Sequence, residues 1–185
     1  MTIILYLIGR PGTGKYTIAK EIAKSGYVIC DNQLINNPIF ELLGYDGFTS
    51  IPEFAWDFIS KIRNSILGFL QVEQINNYVL TNVLFETEGD RKLFRQVQNL
   101  AKKRGSIFVP VKLIISHEEN IRRIQNDERR NRLKVIDKDY AYSKDQLISI
   151  KHLNVLELDV SKLSAMDAAH KIVEHVQGIT RPSLS

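Results

Sequence analysis

Five short apolar runs, separated by stretches of helical periodicity, set the frame of this chain. Ile3 to Ile8 is apolar without a break, which fits a strand buried on both faces. Tyr27 to Cys30, Tyr78 to Phe85, Ile107 to Ile115 and Val155 to Val160 repeat the pattern. Between them, apolar residues recur at helical spacing. Ile18, Ala19, Ile22 and Ala23 mark one helix, and Ala55, Phe58, Ile59, Ile62, Ile66, Phe69 and Leu70 a long amphipathic one. Leu93, Val97, Leu100 and Ala101 mark another, and Ala165, Ala169, Ile172, Val173 and Val176 the last.

Punctuation residues sharpen the boundaries. Ser25-Gly26 and Gly105 read as helix stops. Asn37-Pro38 predicts an N-cap and a helix-opening proline for a short helix that ends at Gly44. Ser50 with Glu53, and Ser116 with Glu119, have capping-box spacing. Pro110 cannot donate to a ladder, so regular pairing of the fourth strand is predicted to begin at Val111. Strands alternating with helices, and apolar rather than alternating runs, predict an α/β three-layer sandwich around a parallel sheet.

Composition changes this picture little. The chain has 185 residues and an ordinary globular make-up. We expect one domain over 1–178 and a loose tail at 179–185, with no linker or repeat. One cysteine, Cys30, excludes an intramolecular disulfide and suits a reducing, cytoplasmic setting. Residues 3–8 are too short for a secretory core and lack a basic segment ahead of them. No apolar stretch approaches a membrane span. The net charge of +4 is compatible with an anionic ligand and is weak support for nucleic acid. Lys102-Lys103-Arg104 suits a helix C-terminus. A second basic group, Arg122, Arg123, Arg129, Arg130, Arg132 and Lys134, has no such simple reading.

Chemistry enters at GRPGTGKYT, residues 9 to 17, directly behind the first strand. The spacing is G-x-x-x-x-G-K, which turns a strand sharply into a helix and aims backbone N–H groups at an anion. Gly9, Gly12 and Gly14 lack the Cβ that would block close approach or forbid positive φ. Lys15 supplies a point charge for phosphates, and the helix N-terminus adds its partial positive charge. This is a nucleotide phosphate site. The next position, where Ser or Thr reaches Mg²⁺ in the common pattern, holds Tyr16, and Thr17 follows.

Two further elements accompany the loop. Asp31 ends the second strand, on the same sheet edge, where a carboxylate could take a proton from an attacking hydroxyl or hold Mg²⁺ through water. Capping of the following turn by Asp31 and Asn32 is the competing reading. Arg129, Arg130 and Arg132 come where the helical pattern fades, as a closing lid would; a solvated basic face is the alternative. Arg122 and Arg123 read as surface partners of Glu118 and Glu119.

Together GRPGTGKYT, a strand ending in Asp31-Asn32, the arginine-rich segment and the closing LELDVSKLSAMDAAHKI resemble small P-loop kinases of the nucleotide and shikimate kinase type. CDNQLINNP and the SIPEFAWDFISKI helix are similar in placement to chloramphenicol phosphotransferase-like proteins. The resemblance implies a P-loop NTPase fold with a five-stranded parallel sheet in order 2-3-1-4-5. It implies ATP with Mg²⁺ as phosphoryl donor, an acceptor segment at about 32–60 and a lid at about 126–142. Lys15, Asp31 and Arg129 then fill the catalytic positions. Gly9, Gly12, Thr13, Gly14, Lys15, Tyr16, Thr17, Arg129 and Arg130 fill the nucleotide positions, and Thr17 and Asp31 the metal positions. Adenylate kinases, too, carry Gly-Thr after the lysine. Asp159 to Ser164 lies where the adenine base is usually held. Thr81 and Asn82 stand where many such proteins have a Walker-B aspartate, which leaves Mg²⁺ to phosphates and water, or to Asp31.

The expected activity is transfer of the γ-phosphoryl group to a hydroxyl of a small molecule. A nucleotide-binding regulator with little catalysis is the second reading, and a kinase of nucleic-acid ends the third. The last ranks lowest, because no basic stripe interleaved with aromatics supports a strand-binding groove.

Overall fold

The computed structural model describes residues 1–124, 133 and 145–180. The expected lid, apart from Leu133, lies outside the described residues, as do Arg129, Arg130, Arg132, Lys134 and residues 181–185. The elements run β1 (Ile3–Gly9), α1 (Lys15–Ala23), β2 (Tyr27–Cys30), α2 (Asn32–Leu42), α3 (Glu53–Val72), β3 (Asn77–Asn82), α4 (Glu88–Arg104), β4 (Ile107–Ile114), α5 (His117–Ile124), β5 (Leu156–Asp159) and α6 (Ala165–Thr180). The sheet is parallel throughout, in the expected order β2-β3-β1-β4-β5.

β1 is the central strand, and all seven of its residues are buried. Ile3, Leu5 and Leu7 pack with Ile18 and Ile22 of α1 and with Ala168, Ile172 and Val176 of α6. Ile4, Tyr6 and Ile8 pack on the other side with Leu67 and Leu70 of α3 and with Val97, Leu100 and Ala101 of α4. The unbroken apolar run therefore reports a strand with a helical layer on each face. A smaller cluster joins Ile35 and Phe40 of α2 to Ile59 of α3, with Leu133 against it. Among the described residues no helix is long and apolar enough to cross a membrane.

The structure corrects several boundaries. The second helix opens at Asn32, capped by Asp31, and Pro38 lies inside it. Proline leaves the carbonyl four residues back without its helical donor, but the Asp31 cap and the burial of Ile35 and Phe40 hold the helix across that defect. The Ser50–Glu53 capping box does not form. Pro52 is the N-cap and Glu53 the first helical residue, so the glutamate is too early to reach back. Half of the Ser116–Glu119 box forms: Ser116 Oγ accepts from Glu119 N–H at 3.4 Å, while Ser116 N–H goes to Ser161 Oγ at 2.8 Å.

The third strand ends at Asn82, and Phe85 pairs instead with Leu147 in an isolated antiparallel bridge. The last helix runs to Thr180, into the stretch expected to be tail.

β4 pairs with β1 from Ile107 onward, through Pro110. Ile107 N–H donates to the Thr2 carbonyl at 2.9 Å, so odd-numbered residues of β4 face β1. The Pro110 nitrogen consequently points toward β5, whose pairing starts only at Val111. The proline sits on the side where no ladder bond is lost.

Arg104 is not a solvated cation at a helix end. Its side chain is fully enclosed, with Nε donating to the Glu73 carbonyl at 2.5 Å. Nη2 donates to Glu73 Oε2 at 2.9 Å and to the Asn76 carbonyl at 2.7 Å, and Nη1 to Ser106 Oγ at 3.1 Å. The guanidinium also lies 5.1 Å from the Tyr78 ring centroid. It joins the starts of β3 and β4 at the end of the sheet remote from the glycine-rich loop.

Candidate functional site

β1, β2 and β3 end on one edge of the sheet, at Gly9, Cys30 and Asn82. The turn from Gly9 into α1 needs its glycines individually. Gly12 has φ +91° and Gly14, the N-cap of α1, has φ +81°, both strained for any residue with a side chain. Gly9 has ordinary φ but no room: a Cβ there would stand 2.9 Å from Thr13 Oγ1 and 3.0 Å from the Leu113 carbonyl.

Thr13 is fully buried and its hydroxyl donates to the Arg10 carbonyl at 2.9 Å. Lys15 Nζ donates to the carbonyls of Gly9 at 2.7 Å and Arg10 at 2.9 Å. The ammonium is thus held across the loop, beside the N-terminus of α1, where an anion is favoured. Tyr16 is half-buried, with Lys20 Nζ 5.4 Å from its ring centroid, and Thr17 is exposed.

Asp31 is buried, and one of its oxygens, Oδ1, accepts from Leu34 N–H at 3.1 Å. The capping reading is therefore realised at the same sheet edge as the loop. Beside it, Asn32 N–H donates to Thr81 Oγ1 at 3.2 Å, and Asn82 Nδ2 donates to Asn32 Oδ1 at 2.8 Å. The Tyr6 hydroxyl donates to Asn82 Oδ1 at 2.9 Å. The two positions where an acid was sought thus lock the start of α2 to β1 and β3. Burial, and then the Asp31 charge, push the Cys30 thiol up to about 12.

Two residues, Asn120 and Arg63, go unread in the sequence, and a third, Arg123, reads there only as a surface partner. Asn120 of α5 is fully buried and donates to the Pro11 carbonyl at 2.6 Å, seating α5 on the loop. Arg123 Nη1 is 3.7 Å from where a Gly14 Cβ would be, and Nη2 donates to the Val160 carbonyl at 2.9 Å. Arg123 also binds Glu119 at 2.6 Å, which is why its spacing looked like a plain surface pair. Arg122 does pair on the surface with Glu119, which its two arginines hold at about 2, well below the usual carboxylate range. Arg63 of α3 has a buried Nε with no partner among the described residues. Burial lowers the pKa of that guanidinium, and Tyr6 and Asp90 nearby offset part of this. No pattern in the sequence distinguishes Arg63 from a solvated helix cation.

No protein-family model matches this sequence, and no curated protein matches it. Solved structures do. Shikimate kinase from Acinetobacter baumannii, in complex with shikimate, is 17% identical with a TM-score of 0.55, over 98% of this chain and 97% of that one. A gluconokinase from Sinorhizobium meliloti is 14% identical with a TM-score of 0.58, over 97% of each chain. The APS kinase of Mycobacterium tuberculosis, in complex with AMPPNP and APS, is 13% identical with a TM-score of 0.59, over 95% of this chain and 98% of that one. At these identities the likeness speaks for architecture alone: the chain has the P-loop NTPase fold.

Proposed function

We propose that the chain is an ATP-dependent kinase that transfers the γ-phosphoryl group to a hydroxyl of a small molecule. One observation carries the reading: a left-handed glycine turn that opens α1 with Lys15 across it, on the sheet edge that also presents a buried Asp31. In the proposed step the acceptor oxygen attacks the γ-phosphorus in line. The β–γ bridging P–O bond breaks, ADP leaves, and the hydroxyl proton passes to the Asp31 carboxylate. Lys15 would exchange its carbonyl contacts for phosphate oxygens, with Gly12, Thr13, Gly14, Tyr16 and Thr17 shaping the cradle. Arg129 and Arg130 would close over the transferred group, and residues 32–60 would hold the acceptor.

A bound magnesium ion would supply positive charge to offset the negative charge that develops on the phosphates. Thr17 and Asp31 would hold it. No cluster of three His, Cys, Asp or Glu that could hold a metal is present among the described residues. One Asp31 oxygen already serves the cap. This sparse donor set fits an ion that keeps its water and takes most other ligands from phosphates.

The Thr81–Asn82 lock, in place of an acid, favours the second reading, a nucleotide-binding module with little transfer. The test combines ATP-binding calorimetry with an ADP-release screen against a broad panel of hydroxyl acceptors. Kinase function predicts acceptor-dependent ADP release that Lys15→Ala abolishes. Tight ATP binding with no acceptor-dependent release would support the module, and no ATP binding at all would refute both.

A further inference from the structure

We infer that the groove between α4 and the segment 145–151 is a binding site for a small organic phosphate, separate from the glycine-rich loop. The groove encloses about 300 Å³, at the lower end of the range for small-molecule sites. Arg91 and Arg95 of α4 stand on one side and Lys151 on the other, and no carboxylate lines it. Lys15 and Asp31 take no part in its walls, so the site stands whether or not the chain is a kinase.

The stability of α4 does not account for these arginines. Arg91 closes the first turn of the helix, where a cation opposes the macrodipole. Arg95 follows four residues on, where the two like charges repel. Glu86 offsets Arg91 by an ion pair. Arg95 and Lys151 are exposed and have no ion pair or side-chain hydrogen bond among the described residues. One carboxylate therefore answers one of three cations, and the groove keeps two positive charges. A phosphomonoester carries about two negative charges near neutral pH. The guanidiniums suit its oxygens by paired, directed hydrogen bonds, and the lysine adds a point charge. Gln98, one turn beyond Arg95, adds an amide to the same lining.

The groove also has an apolar wall, which a bare phosphate would leave uncovered. Phe94 and Ile148 supply it. Ile148 is buried, and the Phe94 ring is fixed at 6.2 Å from the Tyr6 centroid and 5.7 Å from that of Phe108. The facing segment is built in advance as well. Ile148 N–H donates to the Leu84 carbonyl at 3.1 Å, and Glu86 N–H to the Gln146 carbonyl at 2.9 Å. Ser149 N–H donates to Glu86 Oε1 at 2.5 Å, while Glu86 Oε2 takes Arg91. One carboxylate thus fixes both the wall and the first cation, and little ordering is left for a ligand to drive.

Calorimetric titration with phenyl phosphate at low ionic strength tests the proposal, with inorganic phosphate and benzoate as controls for the ring and the charge. The expected result is saturable binding with Kd on the order of 0.1–1 mM, at least about fivefold tighter than inorganic phosphate and about tenfold tighter than benzoate. Arg95→Glu and Lys151→Glu should each weaken it at least tenfold. Both should leave the melting temperature within about 1 °C, because the two side chains are exposed. Lys15→Ala should leave the affinity within about twofold, which separates the groove from the glycine-rich loop. Amide shifts mapped by NMR should centre on Phe94, Arg95, Ser149 and Lys151. No saturation up to about 20 mM, or equal affinity for either control, would overturn the proposal. So would binding that survives both charge reversals but is lost in Lys15→Ala, which would place the phosphate in the loop.

Discussion

Asp31 carries two separable duties in the proposed mechanism, and two substitutions pull them apart. As N-cap it accepts from Leu34 N–H, and as an anion it sits at the positive end of α2. Asp31→Ala removes both, at a cost of about 1 kcal/mol for the cap and about 0.5 kcal/mol for the dipole interaction. For a chain of this size the sum lowers the melting temperature by about 3–6 °C. Asn caps as well as Asp, so Asp31→Asn keeps the first contribution and lowers it by only about 1–2 °C. Transfer should behave differently. Neither variant can take the acceptor proton, so both should lose about 10²–10⁴ in kcat while binding ATP normally. The assays are differential scanning calorimetry, ATP-binding calorimetry and coupled ADP release with an acceptor found in the screen. Near-normal transfer by Asp31→Asn would remove Asp31 from the chemistry. Equal melting losses in the two variants would refute the capping argument.

Other perturbations reach different parts of the molecule. Arg104→Met strips donors from Glu73 and the Asn76 carbonyl inside the fold, and should cost about 3–5 kcal/mol, or about 10 °C in melting temperature. Arg104→Lys should restore little, since an ammonium cannot span the same set of acceptors; full rescue by lysine would contradict this. Gly12→Ala combines φ +91° with a Cβ only 2.5 Å from Asn120 Nδ2, so α5 must shift off the loop. It should weaken ATP binding at least tenfold, and unchanged affinity would show that the seating of α5 is irrelevant. In alkali, the raised pKa of Cys30 means that the unfolded chain ionises first, from about pH 9, while the folded thiol stays neutral to about 12. Burial shifts Tyr6 upward as well. Stability should therefore fall as pH rises from 9 toward 12, and Cys30→Ser should flatten that slope in urea titrations.

Local chemistry decided what could be read from the sequence. The loop was legible because anion binding by backbone needs glycine at fixed positions, and Gly12 and Gly14 take the positive φ anticipated. The five strands were legible because a sheet covered on both faces needs uninterrupted apolar runs. Boundaries failed where one residue type serves two contexts. Pro38 reads alike at the first helical position and inside a helix, and only the cap at Asp31, with no intervening loop, reveals the true start. Pro110 reads as a ladder break until the side its nitrogen faces is known. Arg104 and Arg123 read as surface cations, and Arg63 carries no signal at all, because burial of a guanidinium depends on partners far away in sequence. Arg104 meets Glu73, and Arg123 meets Val160.

The Arg104 clamp also divides the sheet mechanically. One guanidinium ties Glu73, Asn76 and Ser106 together where β3 and β4 begin, while their other ends meet loops and helix caps. Local opening should therefore start at the loop edge and reach the clamped edge last, with amide exchange slowest from Asn77 through Val79. A nucleotide could then reshape the loop edge without lengthening a single ladder bond at the opposite edge. Fluctuation and rigidity would occupy opposite ends of the same strands.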